Sequence, residues 1–554
     1  MSQVRNTGAA TEPAQTIERW IERYAAERVD LGQVLCDGHP ADAVAVVFDG
    51  PTGVEHLSYG ELGERSRSLA GALREAGVGV GERVAVMLPK TPELVVALLA
   101  IWRAGAVHVP LFTAFGPDAV RYRVTHSGAR LVITDVDNRA KVDVEGVRVM
   151  TVGDDRRDGD LDFARACERG PRFDELARAD DDLMFILYTS GTTGQPKGVE
   201  VPVRALASIH SYMHYGLDVR PDDVYWNMAD PGWAYGLWYA ITGPLLLGRS
   251  TLLRAKPFDA SGVFQAIVEH RVTNLAGAPT VFRALRAEGV PVGFRGRHEL
   301  RAISSAGEPL NAELLEWSRE EFGLPIHDHY GQSELGMVAG FAHSPSLARS
   351  PIPGSMGAAL PGFQVAVVGD DGVEASRGLD GELAVDAESS ALYWFRGYFR
   401  DPARTAERFR HGARWYLTAD AASMDEDGLL HFASRADDVI SSSGYRIGPN
   451  EVEEAIIAHP DVVECAVIGT PDELRGEAVT AFVVARAGIE ESAELVDELQ
   501  EFVRARLAKH LYPRRLVFVE SLPRTPSGKV RRTALRERWD AGNSGPGSES
   551  SAMK

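Results

Sequence analysis

The chain has 554 residues, of which 44% are hydrophobic and 25% charged, and its formal net charge is −20. This length exceeds one ordinary hydrophobic core, so we expect two or more domains, and the composition is normal for a soluble globular protein. The strongly negative charge argues against nucleic acid or an anionic membrane surface as a general partner.

Cysteines and the N-terminus indicate the compartment. Cys36, Cys167 and Cys465 lie far apart in the sequence, which predicts neither a disulfide framework nor a metal cluster and is typical of a reducing compartment. The polar N-terminus lacks the apolar segment of a signal peptide. The longest apolar run, near residues 94–109, is broken by Arg103, so no membrane span is predicted. We therefore expect a cytoplasmic protein. A homo-oligomer is compatible with the sequence, which does not determine the oligomeric state.

The N-terminal part alternates predicted helices with short apolar strands. A helix is predicted at residues 16–29 behind a disordered segment 1–15, and further helices at 62–76 and 92–104. The predicted strands are residues 83–88, 107–111, 131–134 and 147–152. This alternation indicates layered α/β structure. The sequence shows no period of 20–50 residues that would indicate a repeat protein.

A polar loop follows the next apolar strand, residues 183–187. Residues 188–199 read YTSGTTGQPKGV, with three glycines, four Ser/Thr hydroxyls and one lysine. Glycines let backbone N–H groups converge on an anion, so a polyphosphate ligand is predicted. The Walker A loop is excluded because Pro196 stands where that motif needs its second glycine, and Gly198 where it needs Ser or Thr.

Three further segments are ambiguous when each is considered alone. Residues 227–238, NMADPGWAYGLW, would more often be core packing, and residues 304–310, SSAGEPL, form a turn that starts a helix. Residues 327–334, HDHYGQSE, contain a His-x-His pair. No third ligand is spaced for a zinc site, so we do not predict one.

The C-terminal part predicts a small α+β domain of a size that folds on its own. Its predicted helices are residues 451–458 and 493–509, and its strands 462–469, 478–485 and 515–520. Polar segments precede and follow these elements: WYLTAD at 415–420, SRADDVI at 434–440, SGYRIGPNE at 443–451 and PRTPSGK at 523–529. A lone loop lysine or an exposed Arg–Asp pair would by itself carry little meaning.

Together these segments resemble the adenylate-forming enzymes, which include acyl- and aryl-CoA synthetases, luciferases and peptide-synthetase adenylation domains. The matching motifs are YTSGTTGxPKGV, ADxGW, YGxTE, WxxTGD, GRxDDxI with SGYRIxPxEVE, and PxTxxGK, spread over roughly residues 40–540. The departures are Ser333 for threonine, and Ala419 and Ser434 for glycines. The SSGYRIGPNEVE and ADPGW segments look most like the acetyl- and medium-chain acyl-CoA synthetase branch.

The resemblance implies a mixed α/β and α+β fold class. A large, multi-layer N-terminal AMP-binding domain would span residues 16–436. A small, mobile C-terminal α+β domain would span residues 437–540 and swing about a hinge at Asp437. A disordered tail of residues 541–554 would follow.

The resemblance also implies roles for particular residues. The implied catalytic residues are Lys529, Glu334, Thr189, Lys197 and Arg446, with Glu334 and Thr189 at Mg²⁺. The implied ATP- and AMP-binding residues are Thr189, Ser190, Gly191, Thr192, Thr193, Gly194, Lys197, Gly307, Glu308, Pro309, Asp328, His329, Tyr330, Gly331, Gln332, Ser333, Asp420, Phe432, Arg435, Arg446 and Lys529. Trp233, Ala234, Ala306 and Gly331 would line the acyl pocket. Ser443, Gly444, Arg504 and Arg139 are candidates for contacts with coenzyme A.

The implied function is that of an AMP-forming acid–thiol ligase. ATP and a carboxylic acid, which we expect to be a short- or medium-chain fatty acid or a small aromatic acid, would give an acyl-adenylate and pyrophosphate. Coenzyme A would then form the thioester and release AMP. The implied cofactors are ATP, Mg²⁺ and coenzyme A, and the implied setting is fatty acid metabolism. Acetyl-CoA synthetases carry tryptophan at the position of Gly331, so glycine predicts an acid longer than acetate.

Other functions remain as alternatives. A stand-alone adenylation enzyme would activate an amino or aryl acid for a carrier protein, although too few residues follow Lys529 for a carrier domain of its own. Luciferase-type oxidation uses the same scaffold, but nothing in the sequence favours it. A catalytically inactive nucleotide-binding regulator would be expected to lack Lys529 or Glu334, and both are present. Acylation of Lys529 is a further hypothesis for regulation.

Overall fold

The computed structural model describes residues 12–173, 176–189, 196–435, 438, 440–442, 445–472, 475–507, 511–525 and 529–543. The helices are α1 (Glu12–Tyr24), α2 (Tyr59–Glu75), α3 (Pro92–Arg103), α4 (Pro117–Ser127), α5 (Phe163–Arg169), α6 (Ala205–Ser211), α7 (Ala234–Gly236), α8 (Gly243–Leu247), α9 (Ala260–Glu269), α10 (Pro279–Glu288), α11 (Ala312–Phe322), α12 (Pro402–Glu407), α13 (Pro449–Ile457), α14 (Ala493–Arg506) and α15 (Arg532–Asn543).

The strands belong to four sheets. In chain order they are β1 (Val44–Gly50), β2 (Gly53–Ser58), β3 (Arg83–Met87), β4 (Val107–Pro110), β5 (Leu131–Asp135), β6 (Arg148–Val152), β7 (Leu161–Asp162), β8 (Leu183–Thr189), β9 (Lys197–Pro202), β10 (Tyr225–Asn227), β11 (Thr251–Arg254), β12 (Asn274–Gly277), β13 (Ala302–Ala306), β14 (Ile326–Gln332), β15 (Gly336–Gly340), β16 (Ala358–Ala359), β17 (Val365–Val368), β18 (Gly381–Asp386), β19 (Trp415–Met424), β20 (Leu430–Arg435), β21 (Ile440–Ser442), β22 (Tyr445–Ile447), β23 (Val462–Asp472), β24 (Gly476–Ala485) and β25 (Arg515–Phe518).

Two large sheets, both mostly parallel, build the N-terminal part. The seven-stranded sheet has the order β7-β6-β5-β3-β4-β8-β9, with β9 antiparallel to β8. The nine-stranded sheet has the order β16-β15-β14-β13-β12-β10-β11-β1-β2, and its strands from β14 to β1 are paired in parallel. Ligands of such sheets bind beyond the carboxyl ends of the strands. Strands β8, β10, β12, β13 and β14 all end beside the cavity described below.

Helix α3 shows why the large sheets need helices on their faces. All of its residues except Glu93 are buried, and Trp102 and Arg103 are 0% and 1% exposed. The guanidinium of Arg103 donates to Asp37 at 2.7 and 2.9 Å and to Ser66 at 3.0 Å. A buried charge is tolerated only when it is paired and hydrogen-bonded, and this arginine is both.

The C-terminal part has a sheet and an apolar core of its own. Its sheet has the order β22-β21-β24-β23, with β25 paired in parallel to β24. Its core lies between this sheet and helices α13 and α14, and includes Ile447, Val467, Val483, Leu499 and Val503. A four-stranded antiparallel sheet, β17-β18-β19-β20, lies between the two large sheets and this part in the chain.

Most elements predicted from periodicity are present within a few residues of the expected bounds. The ends of the chain differ from the prediction. Helix α1 begins at Glu12, inside the segment predicted to be disordered, and α15 (Arg532–Asn543) was not predicted and extends into the predicted disordered tail. Helix α1 packs on the N-terminal part through Trp20, whose ring centroid lies 4.4 Å from that of His210 in a stacked arrangement. Within the described ranges, no helix combines the length and apolarity that a membrane span requires.

A bulge in β19 places Asp420 at the cavity. Leu417 and Ala421 of β19 both pair with residues of β18, and the three residues between them have no partner in that register and form a bulge. Within the bulge Ala419 has φ +61°, in the left-handed region that favours glycine. Glu382 accepts a hydrogen bond from the Ala419 N–H at 2.8 Å, which holds this conformation. The alanine therefore occupies a strained position where the related motif has glycine.

Substitution of Ala419 by valine tests this strain. A β-branched side chain is poorly accommodated at positive φ, so Ala419→Val should destabilise the protein by about 1–2 kcal/mol. The matched control is Ala421→Val, because Ala421 is also half-buried in β19 but is not among the positive-φ residues. Calorimetry should show a lower melting temperature for the first variant than for the second. Equal melting temperatures of the two variants would contradict backbone strain at Ala419.

Candidate active site

A cavity of about 570 Å³ lies beyond the carboxyl ends of the parallel strands. It brings together segments that are distant in sequence, from both the N-terminal and the C-terminal part of the chain. The residues in its wall that the sequence analysis named are Thr189, Lys197, Trp233, Ala234, Ala306, Gly307, Glu308, Pro309, Asp328, His329, Tyr330, Gly331, Gln332, Ser333, Glu334, Asp420, Phe432 and Lys529.

Other predicted site residues lie outside the part of the chain that the structure describes. They are Ser190, Gly191, Thr192, Thr193, Gly194, Asp437, Ser443 and Gly444. The side chains of Arg435 and Arg446 also lie outside it. Their assigned roles stay predictions.

The two arginines proposed for coenzyme A do not line the cavity. Arg139 forms a bidentate ion pair with Asp160, at 2.7 and 2.9 Å, and also donates to the Val142 carbonyl at 2.8 Å. Arg504 pairs with Glu501 at 2.7 Å and lies over the Tyr512 ring. To bind a phosphate, Arg139 would have to leave a nearly buried carboxylate, which argues against its predicted role.

A buried charged cluster contributes Lys197, Glu334 and Arg408 to the cavity wall. The Tyr398 hydroxyl donates to Glu334 Oε1 at 2.7 Å and accepts from Lys197 Nζ at 2.6 Å and from Arg408 Nε at 3.0 Å. Lys197 Nζ also lies 3.1 Å from Glu334 Oε1. The single hydroxyl proton and both of its lone pairs are therefore used. Tyr398 joins one carboxylate to two cations, and we call these four residues the Glu334 cluster.

The protonation state of the Glu334 cluster follows from its charges. Burial raises the pKa of Glu334, but the nearby Lys197 ammonium, the hydrogen bond from Tyr398 and the charge of Arg408 outweigh burial and bring the pKa below its usual value. Burial lowers the pKa of Arg408, and neighbouring tyrosines and Glu334 outweigh it and raise that pKa. The carboxylate and the guanidinium are both charged near neutral pH.

A second carboxylate of the cavity wall, that of Asp420, is held by two hydrogen-bond donors. The Tyr330 hydroxyl and the Gln332 amide both donate to it, the amide at 2.7 Å. The same amide donates to the Thr418 carbonyl at 2.9 Å. These bonds orient a carboxylate that is 3% exposed. In the related motifs this aspartate accepts hydrogen bonds from ribose hydroxyls, and the geometry is compatible with that role.

Four buried polar side-chain atoms of cavity-lining residues lack a hydrogen-bond partner among the described residues. They are Thr189 Oγ1, Asp328 Oδ1 and the indole nitrogens of Trp233 and Trp238. Burial raises the pKa of Asp328 well above its usual value. Because buried polar atoms in proteins are nearly always hydrogen-bonded, we expect a bound ligand to supply partners for these atoms. A polar ligand such as a nucleotide fits this requirement.

The C-terminal part closes one side of the cavity with Lys529, Asn450 and Glu454. The Lys529 loop is tied to itself, since the Thr525 N–H donates to the Lys529 carbonyl at 2.7 Å and the Lys529 N–H to Thr525 Oγ1 at 3.1 Å. The structure therefore presents Lys529 to the same space as the Glu334 cluster.

An arginine pair anchors the start of the C-terminal part. Arg532 binds Glu453 at 2.7 and 2.9 Å and Asp438 at 3.3 Å, and Arg536 binds Asp438 at 2.8 Å. Asp438 follows the predicted hinge residue directly in sequence. Helix α15, which the sequence analysis missed, thus ties the segment after the predicted hinge to the C-terminal core.

Another part of the cavity wall is aromatic. The ring centroid of Trp233 lies 5.5 Å from that of Phe112 and 5.6 Å from that of Phe115, and Tyr235 and Tyr239 also line the cavity. An apolar aromatic wall fits the organic part of a carboxylic acid rather than a phosphate. Trp233 therefore occupies the position expected of a pocket wall.

Several cavity residues were not predicted from the sequence, among them Arg408, Tyr235 and Tyr239, and neither was Tyr398 of the Glu334 cluster. Tyr235 and Tyr239 are one helical turn apart, and this i, i+4 spacing was the available signal. No local pattern identifies Arg408 or Tyr398 as parts of a buried cluster, because their partners are distant in sequence.

The chain matches the family described as AMP-binding enzyme over residues 33–399, and its C-terminal domain over residues 451–529. It belongs to the AMP-binding enzymes. An uncharacterized acyl-CoA ligase of Bacillus subtilis (strain 168) is 36% identical, with 87% of this chain and 90% of that protein covered. The acetyl-coenzyme A synthetase of the same bacterium is 34% identical, with 90% and 87% covered.

A solved structure agrees with these relatives. The crystal structure of a Brucella canis acyl-CoA synthetase is 43% identical in sequence and matches with a TM-score of 0.74, covering 94% of this chain and 97% of that one. The predicted membership of the adenylate-forming enzymes and the predicted fold class, a large N-terminal and a small C-terminal α/β and α+β domain, are confirmed.

A magnesium ion would have few protein ligands at this site. The described residues contain no group of three or more His, Cys, Asp or Glu side chains that could hold a metal ion. Mg²⁺, however, commonly uses one or two protein oxygens together with substrate phosphates and waters. Glu334 makes its contacts to Lys197 and Tyr398 through Oε1, and Thr189 Oγ1 has no described partner. These residues fit such an ion.

The backbone of β15 leaves no room for a side chain at Gly331, which also lines the cavity. A Cβ atom at this position would lie 2.1 Å from the Gly336 carbonyl oxygen and 2.8 Å from Met337 Cα. Both contacts are to the backbone of β15, so any side chain would push β14 and β15 apart. A tryptophan here would therefore not simply shorten the pocket, as the sequence analysis assumed.

Gly331→Ala tests this packing constraint. The added methyl group should destabilise the protein by about 1–3 kcal/mol or more, as overpacking of a core does. Gly116→Ala is a suitable control, because a Cβ at Gly116 meets nothing within 4 Å and its φ is negative. Thermal unfolding should distinguish the two variants. If Gly331→Ala melts at the temperature of the control, the strand pairing is not what selects glycine.

Lys197→Met tests the electrostatics of the Glu334 cluster. In the native protein the lowered pKa of Glu334 contributes stability above about pH 4.5, which is lost as the pH falls through the folded-state pKa. Without Lys197, burial should raise that pKa, and the unpaired carboxylate should cost roughly 3–5 kcal/mol at neutral pH. The stability deficit should then shrink on acidification from pH 7.5 to pH 5.

Tyr398→Phe is the graded control for this experiment. It removes one hydrogen bond to Glu334 but keeps the ammonium group of Lys197. Its deficit at pH 7.5 should be smaller than that of Lys197→Met. A deficit of Lys197→Met that is the same at both pH values would show that the ammonium does not control the ionisation of Glu334.

Proposed function

We propose that this chain is an AMP-forming acyl-CoA synthetase. It joins a carboxylic acid to the α-phosphate of ATP with release of pyrophosphate, and then transfers the acyl group to coenzyme A with release of AMP. The observation that carries this proposal is that Lys529 of the C-terminal part lines the same cavity as Glu334, Lys197 and the aromatic wall around Trp233.

The arrangement suits the first half-reaction because both reactants are anions. An acid carboxylate must approach a phosphate, so positive groups are needed where charge develops. Lys197 and Arg408 lie on one side of the cavity, and Lys529 belongs to the loop that closes it. The acid is already ionised at neutral pH, so the step needs no general base. Positioning of the two reactants supplies the remaining acceleration.

The nucleotide would lie along the carboxyl ends of β13 and β14. Asp328 Oδ1 provides a buried polar atom for the base, and Asp420 provides an oriented carboxylate for the ribose. Residues 189–194 would surround the phosphates, as their motif predicts. Mg²⁺ held by Glu334 and Thr189 would neutralise phosphate charge when bound.

Transfer to coenzyme A would follow a change of domain orientation. Lys529 approaches the cavity in the present arrangement, so the thiol would need another approach after the adenylate forms. We propose that the C-terminal domain, residues 437–540, swings about Asp437 and brings Ser443 and Gly444 to the path of the thiol. Enclosure of the adenylate by both parts would exclude water in the meantime.

The acid is proposed to be a short- or medium-chain fatty acid or a small aromatic acid. The aromatic wall of the cavity supports an apolar acyl group, and relatives are named acyl-CoA ligase and acetyl-coenzyme A synthetase. These names favour a thioester product over the alternative of a stand-alone adenylation enzyme for a carrier protein. Fatty acid metabolism, cytoplasmic location and acylation of Lys529 stay predictions.

The test separates the two half-reactions. ATP–pyrophosphate exchange is measured with fatty, aromatic and amino acids, and thioester formation is measured from supplied acyl-adenylate. Lys529→Ala should slow exchange by roughly a hundredfold to a thousandfold, because one donor to the developing charge is removed. It should leave the thioester step largely intact.

Lys256→Ala is the matched control, because Lys256 pairs with Asp49 and is not part of the cavity wall. It should leave both half-reactions close to those of the unmodified protein. Equal loss of both half-reactions in Lys529→Ala would refute the role of Lys529. Exchange with amino acids but with no fatty or aromatic acid would refute the proposed substrate class.

A further inference from the structure

A row of hydrogen-bonded side chains connects strand β14 with the cavity wall. His329 Nε2 lies 3.0 Å from the Phe341 carbonyl oxygen, and His329 Nδ1 lies 2.7 Å from the Tyr212 hydroxyl. That hydroxyl lies 3.1 Å from the hydroxyl of Tyr235. His329 and Tyr212 are each 2% exposed, whereas Tyr235 is half-buried and lines the cavity. We call His329, Tyr212 and Tyr235 the hydroxyl row.

The Phe341 carbonyl sets the direction of every hydrogen bond in the hydroxyl row. A carbonyl can only accept, so His329 Nε2 must carry the ring proton. Burial lowers the pKa of His329 to about 3, so the ring is neutral and Nδ1 has no proton. Tyr212 must therefore donate to Nδ1. Because a hydroxyl has one proton, the contact between the two tyrosines requires Tyr235 to donate to Tyr212.

Tyr235 is consequently restricted to one role toward the cavity. Its proton is used by Tyr212, which is its hydrogen-bond partner among the described residues. The lone pairs of its oxygen remain, and these can only accept. The tyrosine at the end of the hydroxyl row thus offers a hydrogen-bond acceptor and no donor to a bound molecule.

Among the described residues, Tyr212 makes the one hydrogen bond to the Tyr235 oxygen. Trp233, Ala234 and Met337 line the same cavity; the Trp233 indole N–H has no partner among the described residues, and the Tyr239 hydroxyl accepts from the Met337 N–H at 3.2 Å. A purely apolar acyl group placed here would strip water from the Tyr235 oxygen without replacing its hydrogen bond. Leaving a polar atom unpaired in this way is unfavourable.

We propose that the acid used by this chain carries a hydrogen-bond donor, which is a hydroxyl group on its aliphatic chain or a hydroxyl or amino group on its aromatic ring, and that the Tyr235 oxygen accepts from it. This inference rests on the proposed function, whose acid pocket it specifies further. Sites built to hydrogen-bond a substrate hydroxyl reject the analogue that lacks it much more strongly than apolar pockets reject a missing methylene. Tyr235 is thus a specificity-determining residue.

The experiment compares matched acids on the complete protein. The first set is benzoate, its 2-, 3- and 4-hydroxy and amino derivatives, and the corresponding methoxy derivatives. The second set is hexanoate with its hydroxy and methoxy derivatives. A methoxy group has nearly the position of a hydroxyl but no proton to donate. Pyrophosphate release and thioester formation are measured for each acid as kcat/KM.

A donor-bearing acid should exceed both its unsubstituted and its methoxy counterpart by roughly tenfold to a hundredfold, the range expected when a buried polar atom gains or loses its partner. In Tyr235→Phe this ratio should fall to within about threefold. Tyr225→Phe is the matched control, because Tyr225 is a buried tyrosine of the same region whose hydroxyl donates to the Tyr239 carbonyl and is not part of the cavity wall. It should keep the ratio.

Tyr212→Phe provides a readout that a role in packing alone would not produce. Without the Tyr212 oxygen, the Tyr235 proton has no partner in the hydroxyl row and can turn to the cavity. Tyr235 can then donate, so methoxy acids should gain relative to unsubstituted acids in this variant. Their kcat/KM ratio should rise several-fold compared with that of the unmodified protein.

The inference is overturned if acids are activated without preference for a donor, or if Tyr235→Phe keeps the preference. An unchanged methoxy ratio in Tyr212→Phe would overturn the assigned direction of the hydroxyl row. These outcomes differ from failure of the proposed function, in which no acid of either set releases pyrophosphate. That last result would remove both proposals.

Discussion

The carboxylate of Glu334 is the interaction on which the rest of the site depends. It lies in the wall of a cavity, 5% exposed, where an unpaired carboxylate would be protonated or would destabilise the fold. Lys197 and Tyr398 keep it charged, and Arg408 completes the cluster. One buried charge thereby holds together three segments: the start of β9, the turn between β14 and β15, and the chain around α12.

This cluster also explains how an acidic protein can bind anions. The chain carries a net charge of −20, so its overall field opposes the approach of a polyphosphate and an acid. Local cations must overcome that field. Lys197 and Arg408 are fixed by Tyr398 on the N-terminal side, whereas Lys529 belongs to the C-terminal part. Dividing the positive charge between two parts of the chain makes the field at the cavity depend on their arrangement.

The charged and the aromatic parts of the cavity wall differ in chemistry because they are built from different elements. Charged and amide side chains follow the carboxyl ends of β13 and β14 or lie in the bulge of β19, whereas the aromatic wall comes from the segment around α7. The hydroxyl row crosses between them, since His329 belongs to β14 and Tyr235 to α7. A buried histidine on a strand thus decides the polarity of one point in an otherwise aromatic wall.

Short motifs in the sequence determined which residues gather at the cavity. The motifs up to Glu334 follow parallel strands, and such strands end at one edge of the sheet, whereas Asp420 is placed by the bulge in β19 and Lys529 by the C-terminal part. The motifs also determined the family. The tertiary structure decided which polar groups are available to bind a ligand and which are already paired within the protein. Arg139 is a candidate phosphate ligand in the sequence, but in the structure it is paired with Asp160. Glycine at position 331 predicts a longer acid, but the Gly336 backbone leaves no room for any side chain there. Tyr398 meets Glu334 across 64 positions and Tyr212 meets His329 across 117. Hydrogen bonds use up donors and acceptors, and no local pattern records which distant partner has used them.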